Sequence, residues 1–346
     1  MTKAVAFEIG GVSVMPGTSM VVDLPVSGMP NRTEMTLPVK VFHGKKPGPV
    51  FFVSAAVHGD EIIGTEIVRR LANRPALKGL SGTLLLVPVV NGYGFLNRAR
   101  YLPDRRDLNR CFPGSEHGSM AARLADVFLK EIVARSDYGL DIHSAAIHRS
   151  NLPQIRISAG DPVTRELAEA FGAPAILESS LREGSLRQAA ADLGVPVLLF
   201  EGGEGLRFDE TAIRACLAGI LRLLSKVGIV SGGRIARVAA RSLFSNRSHW
   251  MRAPESGLLR LTKTLGDNVV AGDTVGYVSD LFGETDVPIM SKHGGIVVGR
   301  ATLPVVNEGD AILHVAEISD AGTTEQIAPI VAQLSNAAMF YEDEII

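Results

Sequence analysis

From residue 49 to about residue 228, segments with the composition of buried strands alternate with segments whose apolar residues recur at helical spacing. Pro49-Val50-Phe51-Phe52-Val53-Ser54-Ala55-Ala56 is short, mostly apolar and rich in strand formers, and so are Thr83-Leu84-Leu85-Leu86-Val87-Pro88-Val89 and Val195-Pro196-Val197-Leu198-Leu199-Phe200. Gly139-Leu140-Asp141-Ile142 is a further short strand. Among them, residues 61–71 read as a helix, Met120, Leu124, Val127/Phe128 and Ile132 mark a second, and residues 185–193 a third. Ile213, Cys216/Leu217, Ile220/Leu221 and Leu224 form the apolar stripe of a fourth, which makes Cys216 a core residue. Strands and helices in alternation bury one another as layers, so this region predicts an α/β fold, although periodicity leaves the strand order open.

The flanks differ. Residues 1 to about 45 hold short alternating runs such as Leu37-Pro38-Val39-Lys40-Val41-Phe42 between Gly and Pro, which predict edge strands or an added sheet. From Glu255 onward long helical stripes disappear and glycine recurs, in Ser256-Gly257-Leu258-Leu259, Gly266-Asp267, Gly272-Asp273, Gly294-Gly295-Ile296-Val297 and Gly309-Asp310. Two similar units of this kind suggest an internal pseudo-repeat in a small all-β domain. We therefore divide the chain into residues 1–240 and 241–346, with a final helix over 324–337 that Pro329 would interrupt unless it lies in the first turn. The 346 residues suffice for one large or two unequal domains with a substantial core.

Bulk properties exclude several classes. A net charge of -2 with 21% charged residues offers nothing to recruit nucleic acid or a membrane surface. The N-terminus lacks an apolar signal region, and no apolar run is long enough to span a bilayer. Two cysteines, Cys111 and Cys216, are too few for a disulfide framework and form no Cys-x-x-Cys pair, so a soluble protein of the reducing cytoplasm is expected.

The first strand of the alternating region ends in Val57-His58-Gly59-Asp60-Glu61, a histidine and a glutamate three residues apart just before a helix. Taken singly, such a pair is equally well a loop histidine and a capping carboxylate. His143, however, ends the strand that begins at Gly139, with Asp141 on the same face, and Glu201 ends the apolar strand before Gly202-Gly203. All four fall at the C-terminal ends of strands, which in a doubly wound sheet converge on one crevice. Two histidines and one glutamate make a three-ligand site of the type that holds catalytic zinc and leaves a position for water. The remaining carboxylate, Glu201, can then serve as the base, an arrangement suited to amide hydrolysis without an organic cofactor. Residues 97–114 read as a long ordered loop with five arginines between 98 and 110, either a solvated surface or a grip on a substrate anion.

His58-Gly59-Asp60-Glu61, Arg100-Tyr101 with Asp107-Leu108-Asn109-Arg110, Asp141-Ile142-His143-Ser144 and Glu201 occur in the order and approximate spacing of the succinylglutamate desuccinylase/aspartoacylase family, related to the zinc carboxypeptidases. The resemblance covers roughly residues 40–230. It implies a zinc-carboxypeptidase-like mixed sheet flanked by helices, one Zn2+ held by His58, Glu61 and His143, and Glu201 as general acid/base. Arg100 resembles the family's oxyanion-stabilising arginine, and Asn109 and Arg110 its pair that holds the substrate's α-carboxylate. Asp141 is placed to orient a zinc ligand. Arg149 and Arg156 are candidates for reading the substrate side chain. The implied reaction is removal of an acyl group from a small N-acyl amino acid, with the alternative of a metallocarboxypeptidase acting on peptides. The long N-terminal segment and Gly-Asp-rich tail look like the branch that includes bacterial deacetylases of N-acetyl-diaminobutyrate.

The C-terminal region also resembles the biotinyl/lipoyl barrel-sandwich fold, whose carriers modify a lysine at a hairpin tip. Here that tip, about residues 279–285, has no lysine, which disfavours a swinging-arm carrier and leaves a structural or pocket-closing role. A two-part repeat can also mediate self-association, so a homo-oligomer is within expectation.

Overall fold

The computed structural model describes residues 4–28, 32–231 and 241–318. The helix expected over 324–337 and the acidic tail lie outside the described residues, as do residues 232–240, where the two units were divided.

Thirteen of the described strands form one mixed sheet. Its centre is parallel: Val197–Glu204, Tyr138–His143, Lys46–Ala55 and Ser81–Val87 lie side by side in that order. Phe51, Val53, Ala55, Leu84 and Leu86 face one way, into a core shared with helices Ile63–Ala72, Pro162–Phe171 and Glu210–Lys226. Phe52, Leu85 and Val87 face the other way, towards helices Met120–Glu131 and Leu186–Asp192. Strand side chains alternate between faces, and burial on both explains why these strands read as unbroken apolar runs. Cys216 is fully buried on the first face, as its helical stripe predicts.

On one flank, Glu34–His43 pairs with Ser81–Val87 and with Thr18–Gly28, so Thr18–Gly28 is an edge strand, whereas the run 37–42, expected at an edge or in an added sheet, lies on a strand paired on both sides. On the other, Arg149–Ser158 runs antiparallel to Val197–Glu204, and Gly295–Ala301, Ala311–Ala316 and Ser248–Arg252 continue the same sheet. A separate four-stranded sheet comprises Asp286–Met290, Thr274–Ser279, Gly257–Leu261 and Val305–Val306. The region after residue 241 is thus all-β among the described residues, yet several of its strands extend the main sheet. Strand period reveals which residues share a face and is silent about the neighbouring strand.

The pseudo-repeat is visible in the pairing. Leu258 opposes Ser279 as Ile296 opposes Ala316. A Cβ on Gly257 or Gly295 would come 2.3 or 2.2 Å from the carbonyl oxygen of Ser279 or Ala316, so glycine is needed at both. Asp273 accepts from Val270 N and Asp310 from Asn307 N, closing equivalent turns. At the tip between Thr274–Ser279 and Asp286–Met290 stand exposed Leu281 and Phe282. Among the described residues no helix is long and apolar enough to cross a membrane.

Phe171 is fully buried, with its ring 5.8 Å from that of Phe200. Phe171→Ala is expected to lower stability by about 3–5 kcal/mol, measurable by denaturant unfolding, because the rigid layers cannot collapse into the void.

Candidate active site

The strand Lys46–Ala55 ends where Ala56 enters the left-handed region, at φ 53, and turns the chain into the His58-Gly59-Asp60-Glu61 elbow. A Cβ on Gly59 would lie 1.9 Å from the carbonyl carbon of Gly94, so only glycine lets the elbow seat against helix Gly92–Asn97. Helix Ile63–Ala72 follows at once, leaving Glu61 at its entrance. His143 is the last residue of the neighbouring parallel strand Tyr138–His143, and Glu201 stands opposite it in register on Val197–Glu204. A β-bulge between Glu201 and Gly203, set against Arg149–Ser158, re-aims the strand at this point, as bulges near active sites do.

Glu61 lies between the two histidines. His58 Nδ1 and His143 Nδ1 each approach one carboxylate oxygen of Glu61 at 2.7 Å. Ser144 N donates to the same carboxylate at 3.2 Å. The outer nitrogens are held as well: His143 Nε2 lies 2.7 Å from Asp141, which accepts from Ser54 Oγ at 2.7 Å, and His58 Nε2 lies 3.0 Å from Asp107. Arg100 donates to Glu61 at 3.0 Å and to Asp107 at 3.1 Å. In the sequence Asp107 stands only as part of a motif; its contact with His58 spans 49 residues of chain and has no local signature.

Burial disfavours the carboxylate of Glu61, but the charges of His58 and His143 and their hydrogen bonds overcome it and hold its pKa well below the usual range. Burial likewise pulls both histidines down. For His143 the charges of Asp141 and Glu61 outweigh it, and for His58 the charge of Glu61 and the hydrogen bond of Asp107, so both are raised. The ligand atoms of His58, Glu61 and His143 all lie within 4.8 Å of one another and the three residues are buried. Two imidazoles turned inward by carboxylates behind them, plus a third carboxylate, suit a divalent transition metal with room for a further ligand. Such an ion would displace the protons the two imidazoles share with Glu61.

The seven residues given metal, acid/base, oxyanion or α-carboxylate roles by the resemblance, His58, Glu61, His143, Glu201, Arg100, Asn109 and Arg110, line one cavity of about 200 Å3 with Asp141. Asn109 Oδ1 accepts from Leu186 N at 2.9 Å, tying the arginine-rich loop to the helix that follows Ser185. Arg149 and Arg156 line the cavity too, joined by Asn151, Arg182, Arg187 and Trp250, which sequence reasoning missed. Arg187 falls within a segment whose spacing predicts only a helix. Trp250, the single tryptophan, sits after residue 241, on a strand that pairs Trp250 with His314 and stacks the two rings at 4.6 Å.

Residues 47–227 match the family model of the succinylglutamate desuccinylase/aspartoacylase catalytic domain. The chain belongs to this family. Its members are deacylating hydrolases that act on amide bonds of N-acyl amino acids. The N-alpha-acetyl-L-2,4-diaminobutyric acid deacetylase of Halomonas elongata is 29% identical over 283 residues, covering 78% of this chain and 83% of that protein. A crystal structure of succinylglutamate desuccinylase/aspartoacylase from Rhodobacter sphaeroides superposes with a TM-score of 0.77 at 26% identity, over 87% of this chain and 96% of that one. The product-bound ectoine utilization protein EutE (DoeB) of Ruegeria pomeroyi shares the fold, with a TM-score of 0.78 at 24% identity over 86% and 95% of the two chains. In this family member, Asp141→Asn should weaken divalent-metal affinity by about 10–100-fold in competition with a chromophoric chelator. Unchanged affinity would remove Asp141 from the role of orienting His143.

Proposed function

We propose that the chain is a zinc-dependent hydrolase that removes the acyl group from a small N-acyl amino acid bearing at least one carboxylate besides the α-carboxylate. The cavity's charge carries the acidic-substrate part: among the described residues, Arg100, Arg110, Arg149, Arg156, Arg182 and Arg187 line it against only Glu61, Asp141 and Glu201. Arg187 is pulled down to about 10, first by burial and then by the like charge of Arg156, and remains cationic at neutral pH. Its Nη1 and the Nε of Arg156 are buried without a hydrogen bond among the described residues. Guanidinium groups short of acceptors in a small cavity favour an anionic ligand. A free ammonium, such as the side chain of diaminobutyrate, would meet these arginines and, among the described residues, only the carboxylates of Glu61, Asp141 and Glu201.

In this reading His58, Glu61 and His143 hold one Zn2+ per chain. When bound, zinc supplies Lewis acidity to the scissile carbonyl and the attacking water. Glu201 takes the water proton and passes it to the leaving nitrogen. Arg100 donates to the developing oxyanion. The bond from Leu186 N to Asn109 Oδ1 leaves Asn109 Nδ2 as a donor to the α-carboxylate beside Arg110. Residues 1–240 form the hydrolase unit and 241–346 the β unit that walls its cavity through Trp250. The free thiols of Cys111 and Cys216 suit the cytoplasm.

Amine release from N-acetyl and N-succinyl aspartate and glutamate, N-α-acetyl-diaminobutyrate, neutral N-acetyl amino acids and short peptides, with and without chelator, tests this. Chelator-sensitive turnover led by the multiply carboxylated substrates is expected. Preference for N-α-acetyl-diaminobutyrate would overturn the acidic-substrate assignment, and cleavage of peptides alone would select the metallocarboxypeptidase. Glu201→Gln should retain metal and lower kcat by about 100-fold or more, as loss of a general base does; unchanged turnover would remove it as base. Arg187→Ala should raise KM by about tenfold or more for doubly carboxylated substrates while sparing neutral ones.

A further inference from the structure

We propose that Asn151 is a positioning residue for Glu201, and that the C-terminal strand Gly295–Ala301 sets its place through Gly299. The inference rests on the reading of Glu201 as the base. Asn151 is buried on Arg149–Ser158, and its Nδ2 donates to Glu201 Oε2 at 2.9 Å. A carboxylate can only accept, so the amide nitrogen must face Glu201 and the amide oxygen must point elsewhere. Among the described residues this is the one hydrogen bond to the Glu201 side chain; Arg156 Nε, at 3.7 Å, is too far for another. With Oε2 held, Oε1 remains to accept a proton. The bulge makes the contact: Asn151 stands opposite Gly203 in register, and the irregularity between Glu201 and Gly203 brings the carboxylate within reach of its amide.

The oxygen end of Asn151 meets the C-terminal region. Gly299 pairs with Asn151 across the strands that join the two parts of the sheet. A Cβ at residue 299 would lie 2.8 Å from Asn151 Oδ1, 3.2 Å from His314 Cβ and 3.6 Å from Trp250 Cη2. The first is below the separations that real Cβ atoms show and involves the end of a side chain, so a methyl there would move the amide rather than the backbone. His314 and Trp250 also crowd that Cβ, and Trp250 is itself fixed by its stacked His314 ring and by the Arg149 guanidinium, 5.3 Å from its ring. The hydrogen atom at residue 299 thus leaves the space in which the Asn151 amide sits, and that amide aims the base. A residue outside the matched catalytic domain, beyond residue 227, acts on the reaction without touching substrate.

The test measures kcat and KM of the zinc-loaded full chain on the panel's fastest N-acyl amino acid, for Asn151→Ala, Asn151→Asp, Gly299→Ala and the double variant N151A/G299A, beside Glu201→Gln. Emission of Trp250, the single tryptophan, and thermal melting report whether each variant keeps its fold. Asn151→Ala should lower kcat about tenfold with KM within about twofold, the size of one lost orienting hydrogen bond. Asn151→Asp keeps the shape but replaces the donor by a like charge, and should lose at least as much. Gly299→Ala should lower kcat in the wild-type background and change it by less than about twofold in the Asn151→Ala background. Wild-type kcat in Asn151→Asp, or independent multiplication of the two single effects, would overturn the positioning role while loss of activity in Glu201→Gln leaves the base reading standing. Full activity in Glu201→Gln would overturn the base reading and this proposal with it.

Discussion

The site depends on one buried carboxylate. Glu61 is shared by His58 and His143 and is also reached by Arg100 and Ser144 N, so four groups from three parts of the chain meet on its two oxygens. A charged carboxylate in such a place is tolerable because the groups that reach its oxygens are donors or cations. The same constraint fixes the outer ring of contacts, since each imidazole must be turned by Asp141 or Asp107 to present Nδ1 inward. A metal-ready site and a satisfied buried network are therefore the same arrangement.

Parallel strands make that convergence cheap in chain length. Lys46–Ala55 and Tyr138–His143 lie side by side in one direction, so the elbow after one and the last residue of the other emerge at the same rim. Val197–Glu204 adds Glu201 at the level of His143. Helices on both faces bury the sheet and leave the rim as the open edge, the usual place for ligands in such sheets. The conformations that look costly, Ala56 at φ 53 and the bulge at Glu201, are gathered at that rim, where they aim side chains.

The C-terminal strands make the cavity more than a carboxylate-lined cleft. They hydrogen-bond onto Arg149–Ser158, bring Trp250 to the cavity wall, and press Gly299 against Asn151. Arg182 and Arg187, before and within helix Leu186–Asp192, join Arg100, Arg110, Arg149 and Arg156 to give a near-neutral protein a strongly cationic cavity. A net charge of -2 says nothing about such a concentration, because charge is summed over the chain while a field is felt locally.

The layer class, four of the helices, the central strands and seven of the residues lining the cavity are legible in the sequence, whereas helices Gly92–Asn97 and Pro162–Phe171 are not. Burial on one or two faces imposes a period that is written locally, and the His58–Glu61 spacing, His143 and Glu201 each sit where a strand visibly ends. The resemblance then supplied roles for Arg100, Asn109 and Arg110 that the period of a loop cannot. Folding in three dimensions is what reveals that strands after residue 241 extend the main sheet, that Asp107 backs His58, that Arg187 lines the cavity and that Asn151 holds Glu201. Each is a contact between distant segments, made by a backbone edge or a side-chain end that leaves no periodic trace. Gly299 shows the limit most plainly: in sequence it closes a Gly-rich strand, and its importance lies in a Cβ that Asn151, 148 residues earlier, leaves no room for.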